Sequence, residues 1–143
     1  MTQRNNDRRA PRSDKRQGAV YVEFALGFLL FITLVFGVFE GARMIWAYAS
    51  ITHAAREGAR YAMVHGHQSP VADSAIETYA EARAPGLAPG DVTVTTTWED
   101  TDKEGSSVVR VQVAYPISMI ASTMLFGKQT MNLSYTARAV IAE

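Results

Sequence analysis

Glu23 is the single charged residue in a run of 21, Ala19–Phe39, that reads AVYVEFALGFLLFITLVFGVF. A charged side chain at the centre of a bilayer costs about 2.5–3.5 kcal/mol, and less near the edge. An acid in that setting needs a partner, or it snorkels to the interface and has no further role. Gly18 stands just before the run, at the end of the basic sequence Lys15-Arg16-Gln17. Further along, Ile51–Ala62 reads ITHAAREGARYA and carries Arg56, Glu57 and Arg60. These three form either a recognition surface or a solvated helical face whose small neighbours permit close packing. Glu57 can also pair locally with Arg60 or His53. Gly37 and Gly41 form a GxxxG pair, a spacing that lets helix backbones approach one another in a membrane.

Other chemistries find little footing. The chain has no cysteine, which excludes disulfides, thiol catalysis and cysteine-based zinc sites. Its 3 histidines are His53, His65 and His67. His65 and His67 lie two apart with no further ligand beside them, so no metal site is expected, and no cofactor. Asp91, Glu99, Asp100, Asp102 and Glu104 read as a solvated turn rather than a calcium loop. No Gly-x-Ser-x-Gly elbow and no glycine-rich phosphate loop occurs. The expectation is a protein that is not an enzyme.

The elements that position these residues follow from composition. Residues Met1–Gly18 carry six basic side chains against two acidic, a net +4, and the remainder carries eight against twelve, a net −4. Residues Met1–Gln17, nearly free of apolar residues, read as disordered. Lys and Arg collect on the cytoplasmic side of a span. The basic leader therefore stays inside, and the chain after Phe39 is exported. Topology explains the leader's charge without nucleic acid as a partner. A buried helix of a soluble protein would need a comparably apolar segment to pack against, and the chain has none. Ala47-Tyr48-Ala49 has the small-x-small form of a signal-peptidase site, but Glu40 and Arg43 intervene and cleavage there would cut the helix.

Glu40–Val64 is free of proline and rich in good helix formers. Met44, Tyr48, Ile51, Ala55 and Ala62 fall on one helical stripe, while Arg43, Ser50, Glu57 and Arg60 lie largely on other faces. Gly66 is a candidate C-cap. A helix from Val20 to Val64 is about 67 Å long, against a hydrocarbon core of about 30 Å, so roughly half of it stands outside the membrane. Ser69-Pro70 suggests an N-cap and first helical position, followed by a second helix over Ala72–Ala84 that Pro85-Gly86 stops. Asp91–Trp98, Ser107–Tyr115 and Thr130–Ile141 alternate as strands. Pro116 is expected to end the second strand. Glu99–Ser106 reads as a turn and Ile117–Phe126 as an apolar stretch, with a short helix one option. The expected fold is α+β: a long N-terminal transmembrane helix and stem, a short second helix and a three-stranded antiparallel sheet. The divisions are 1–18 leader, 19–39 transmembrane helix, 40–66 stem and 67–143 head. The sheet's apolar face needs a cover, and the stem and second helix are the candidates.

The junction KRQGAVYVEF, with glycine before a small residue and Glu-Phe shortly after, resembles the processing site of type IV pilins and pseudopilins. With Phe36–Glu40 (FGVFE) and Ala54–Arg60 (AAREGAR), it is similar to the TadE-like proteins, pseudopilins of tight-adherence pilus systems. A Tyr-Pro strand end, as at Tyr115-Pro116, and a final alternating strand also fit. The resemblance implies that a prepilin peptidase cuts between Gly18 and Ala19, on the cytoplasmic side. Glycine there lets an extended backbone enter the protease cleft. The freed amine of Ala19 then lies one helical turn from Glu23, in the same chain or in a neighbour, and the pair would set subunit register. It further implies a minor or accessory pilin of the cytoplasmic (inner) membrane. Its partners would be prepilin peptidase, other pilins or pseudopilins, the assembly machinery and membrane lipid, and its contribution would be to adhesion and biofilm formation. The alternative is a membrane-anchored extracytoplasmic binding module with no pilus role.

Overall fold

Between Asp14 and His65 the chain has no proline, and the computed structural model forms a single helix, α1, over Asp14–His65. The structure describes residues 14–66, 71–88, 90–99, 107–120, 123, 127 and 129–141, the first three by backbone alone. α1 begins before the apolar run, at Asp14, inside the stretch Met1–Gln17 that the sequence reads as disordered, and it takes in Gly18. Lys, Arg and Gln are good helix formers, and extending an existing helix is far easier than nucleating one. After α1 come α2 (Asp73–Glu81), β1 (Thr93–Trp98), β2 (Val108–Ser118) and β3 (Thr130–Val140). The fold is α+β, as expected. The chain divides into two compact units, 1–38 and Phe39–Glu143.

In the second unit the three strands form an antiparallel sheet in the order β1-β2-β3. Val109, Val111, Val113 and Ile117 of β2 are buried on one face, while Arg110 and Gln112 are exposed on the other. β3 alternates likewise, with Met131, Leu133, Tyr135, Ala137 and Ala139 turned to the core and Asn132, Ser134, Thr136 and Arg138 to solvent. This is the period-2 pattern of a sheet with one covered face.

The cover is the stem half of α1 together with α2. Ala47, Ile51, Ala54, Ala55, Ala59 and Ala62 join Ile76 and Ala80 of α2 in one core cluster with the β2 valines. Small residues on α1 let its backbone come close to the sheet. A Cβ added to Gly58 would lie 2.9 Å from Ala80 Cβ and 3.1 Å from Val111 Cγ1. Each fully buried Ile or Val here contributes about 1.5–3 kcal/mol of transfer free energy.

Several boundaries differ from the sequence expectation. Ser50 is buried, not on an outer face, and its Oγ donates to Pro85 O at 2.9 Å. Tyr48, placed on the apolar stripe, is about half exposed, and its ring meets Tyr135 edge-on. Gly66 is not in the left-handed region. It is needed because a Cβ there would lie 2.7 Å from Ala62 O and from Ile141 Cδ1. α2 starts at Asp73, with Ala72 as an N-cap that offers no side-chain bond, and it stops at Glu81. The tighter bonds Arg83 N to Ala80 O and Ala84 N to Glu81 O end it before Pro85. Gly86 follows with φ +73, its Cα face pressed against the Trp46 ring, where a Cβ would lie 2.3 Å from the ring carbon. β1 begins at Thr93 rather than Asp91.

Pro116 does not end β2. The strand continues to Ser118, with Pro116 opposite Asn132. β1 reaches only as far as Ala114, so beyond it β2 is an edge, where proline's missing N–H removes no ladder bond. The expected N-cap at Ser69-Pro70, the body of the Glu99–Ser106 turn, His67 and half of Ile117–Phe126 lie outside the described residues.

Candidate functional site

Two regions hold the residues that the sequence singles out. In the first unit, α1 presents apolar side chains on all sides. Val20, Tyr21, Val22, Phe24, Leu30 and Phe36 are all more than half exposed. α1 is long and apolar enough to cross a membrane, and none of its most apolar window is buried within the chain. A helix that is hydrophobic all round needs lipid or protein around it. Phe24 and Phe28 stack at 6.2 Å, and Thr33 Oγ1 donates to Leu29 O at 2.8 Å, which satisfies the hydroxyl without water. Gly18 lies in the helix and is exposed. A Cβ on Gly18, Gly37 or Gly41 would meet nothing within 4 Å among the described residues. Glu23 is exposed, and among the described residues no ion pair or hydrogen bond engages its carboxylate. Ala19 and Glu23, four residues apart, lie about one helical turn from each other along α1.

In the second unit the structure separates the stem residues. Arg56 turns toward β3, its guanidinium 5.7 Å from the Tyr135 ring centre and Nη2 3.5 Å from the Tyr135 hydroxyl. Glu57 and Arg60 turn toward α2. Glu57 lies 4.0 Å from Arg60 and 3.9 Å from Arg83, long contacts that leave both guanidinium groups open to solvent. Tyr61 stacks between Tyr79 at 4.4 Å and His65 at 4.1 Å, and Arg83 lies 4.5 Å over Tyr79. With Val64 these residues line an open groove of about 260 Å³. Aromatic faces beside two arginines can hold a planar or acidic group, but no paired nucleophile and base is present in the groove. Among the described residues no three His, Asp or Glu side chains gather to hold a metal ion.

Residues 18–60 match the family model described as TadE-like protein. Over these residues the chain is similar to TadE-like proteins. The match starts at Gly18 and ends at Arg60, so it takes in the junction, Glu23, the Gly37–Gly41 pair and the Ala54–Arg60 motif. No curated protein and no solved structure matches the chain. Within the TadE-like segment, Gly58 and Ala59 of the motif are core residues, and Arg56 and Arg60 are exposed on either side of them.

Two further groups of polar contacts were not foreseen. Asp73, Glu77 and Glu81 recur every fourth residue on α2 and all reach the β1 side of the sheet. Asp73 Oδ1 accepts from Trp98 Nε1 at 2.7 Å, Glu77 Oε1 from Thr96 N at 3.3 Å and Glu81 Oε1 from Gly90 N at 3.0 Å. They protect the edge strand β1, and their i, i+4, i+8 spacing was the readable signal. On the exposed sheet face Arg110 and Arg138 sit directly opposite each other, and Glu99 accepts hydrogen bonds from both. The hydrogen bond from Arg110, with the positive charge of both arginines, holds the Glu99 carboxyl below its ordinary range.

Proposed function

We propose that this protein is a minor pilin or pseudopilin that takes part in assembling a tight-adherence type IV pilus, and through it in adhesion and biofilm formation. The observation that carries this reading is the TadE-like match, which opens at Gly18 and runs through the span into the stem. In this reading the basic leader lies in the cytoplasm, residues 19–39 cross the inner membrane and the second unit is exported. Prepilin peptidase cuts between Gly18 and Ala19, and the protein is its substrate rather than an enzyme. The exposed all-apolar surface and the open Gly37 and Gly41 positions suit lateral packing with other pilins or pseudopilins in the lipid. A second reading, an anchored binding module without a pilus role, draws on the groove between Glu57, Arg60, Tyr79 and Arg83.

Helical Gly18 bears on the cleavage step. A protease needs the chain extended, so the first two turns of α1 must open locally. Glycine in a helix interior lowers stability by roughly 0.5–1 kcal/mol relative to alanine, which eases that opening. Mass spectrometry of the mature N-terminus tests the proposal. The expected result is a chain beginning at Ala19 in cells with prepilin peptidase, and an uncut chain in cells without it. A chain that keeps its leader in the presence of active peptidase overturns the reading.

A further inference from the structure

The first charged residue after the apolar run is Glu40, directly following Phe39. Its carboxylate does not point to water. Oε1 accepts from Arg43 Nη2 at 2.8 Å and Oε2 from the backbone N–H of Ile120 at 3.1 Å. Arg43 also donates to Ser118 O. Two side chains in the first turn beyond the apolar run therefore clamp the chain at Ser118–Ile120, just past the end of β2. Ile120 is 51% exposed, although most large apolar side chains of this unit are covered. The sequence from Ile117 to Gly127 carries no charge, and Lys128 follows.

On α1 itself Ile45 is 73% and Trp46 50% exposed. They lie about 7.5 and 9 Å beyond Glu40 along the helix axis, at 1.5 Å per residue. The polar layers of a bilayer add roughly 5–8 Å on each side of the hydrocarbon core, so these two residues fall at its outer margin. Tryptophan favours this layer because its ring is apolar and its N–H polar.

We propose that Ser118–Ile120, held by the Glu40–Arg43 clamp, forms with Ile45 and Trp46 a lipid-contacting face. This edge of the second unit would then touch the headgroup layer. The occupant is the bilayer interface, because the clamp fixes Ile120 at the level where the apolar run ends, and lipid is what surrounds a spanning helix at that level. Arg43 suits anionic headgroups. The inference rests on reading residues 19–39 as a membrane span.

The cysteine-free chain makes the test direct. Ile120→Cys, Thr136→Cys and Leu30→Cys are each labelled with an environment-sensitive nitrobenzoxadiazole dye. The full chain is reconstituted in phosphatidylethanolamine–phosphatidylglycerol vesicles carrying spin labels at headgroup or tail depth. The expected result is blue-shifted emission at position 120 with clear loss to the headgroup label, loss at position 30 to the tail label, and neither at position 136. Native Trp46 fluorescence in a Trp98→Phe chain, quenched by the headgroup label, supports the face without any dye at position 120. Lipid quenching at position 30 with none at position 120 or Trp46 overturns the proposal and leaves the span reading standing. A blue shift at position 120 without lipid quenching also overturns it and points to a neighbouring protein subunit. No lipid quenching at position 30 removes the span, and the proposal with it.

Discussion

Glu23 and Glu99 show how differently one carboxylate type is treated in this chain. Glu99 is served by two arginines on a solvated sheet face, and its proton affinity falls accordingly. Among the described residues Glu23 is matched with nothing, on a helix whose other side chains from Ala19 to Phe39 are uncharged. In the proposed reading its donor is the amine that cleavage would free at Ala19, about one helical turn away. Glu23→Ala is therefore expected to insert and be cleaved normally while binding pilus components about tenfold or more weakly. A hydrogen bond to a charged group contributes roughly 1.5–3 kcal/mol. Pull-down of the other pilins with each form measures this, and an unchanged yield would remove the register role.

At the scale of elements, the stem of α1 is a wall of the core rather than a free stalk. Its contact surface is mostly alanine, with Gly58, Ser50 and Ile51, so the distance to α2 and β2 is set largely by backbone. At Gly58 an added Cβ would lie 2.9 Å from Ala80 Cβ. Gly58→Val is expected to lower stability by about 1–3 kcal/mol through overpacking, despite the gain in helix propensity. Gly37→Val, where nothing lies nearby, should leave the melting transition of the second unit in place. Thermal unfolding of both full chains in detergent, followed by circular dichroism, checks the pair. α2 adds its own contribution through Asp73, Glu77 and Glu81, which reach backbone and indole donors along the edge of the sheet.

At the scale of the whole molecule, the compact unit begins at Phe39, not after the stem. A head taken as residues 67–143 would leave the β2 valines facing water where Ala47–Ala62 now cover them. Without the stem, the apolar face of the sheet keeps only α2 as cover, and a unit of this size is marginal. The fragment 67–143 is expected to show no cooperative transition in urea, while 40–143 unfolds in a single step, with Trp98 fluorescence as the probe. A cooperative transition in the shorter fragment would show the stem to be dispensable.

Much of this organisation is legible without coordinates, because it depends on neighbours along the chain. A run of apolar residues long enough to span, three alternating strands and a proline-free stem are each local patterns. The family match over 18–60 rests on such a segment as well. What the sequence could not show depends on which elements meet. Ser50 is buried only because Pro85 O lies against it, and Pro116 stays in its strand only because β1 stops short of it. Arg56 parts from Glu57 and Arg60 because β3 lies on one side of α1 and α2 on the other. Composition and period alone determined that Gly18 and Glu23 stand at the mouth of an apolar helix. Tertiary structure alone decided that the helix beyond Phe39 is core and that Glu40 holds Ile120, since burial and hydrogen bonding between distant residues are set by packing and not by spacing.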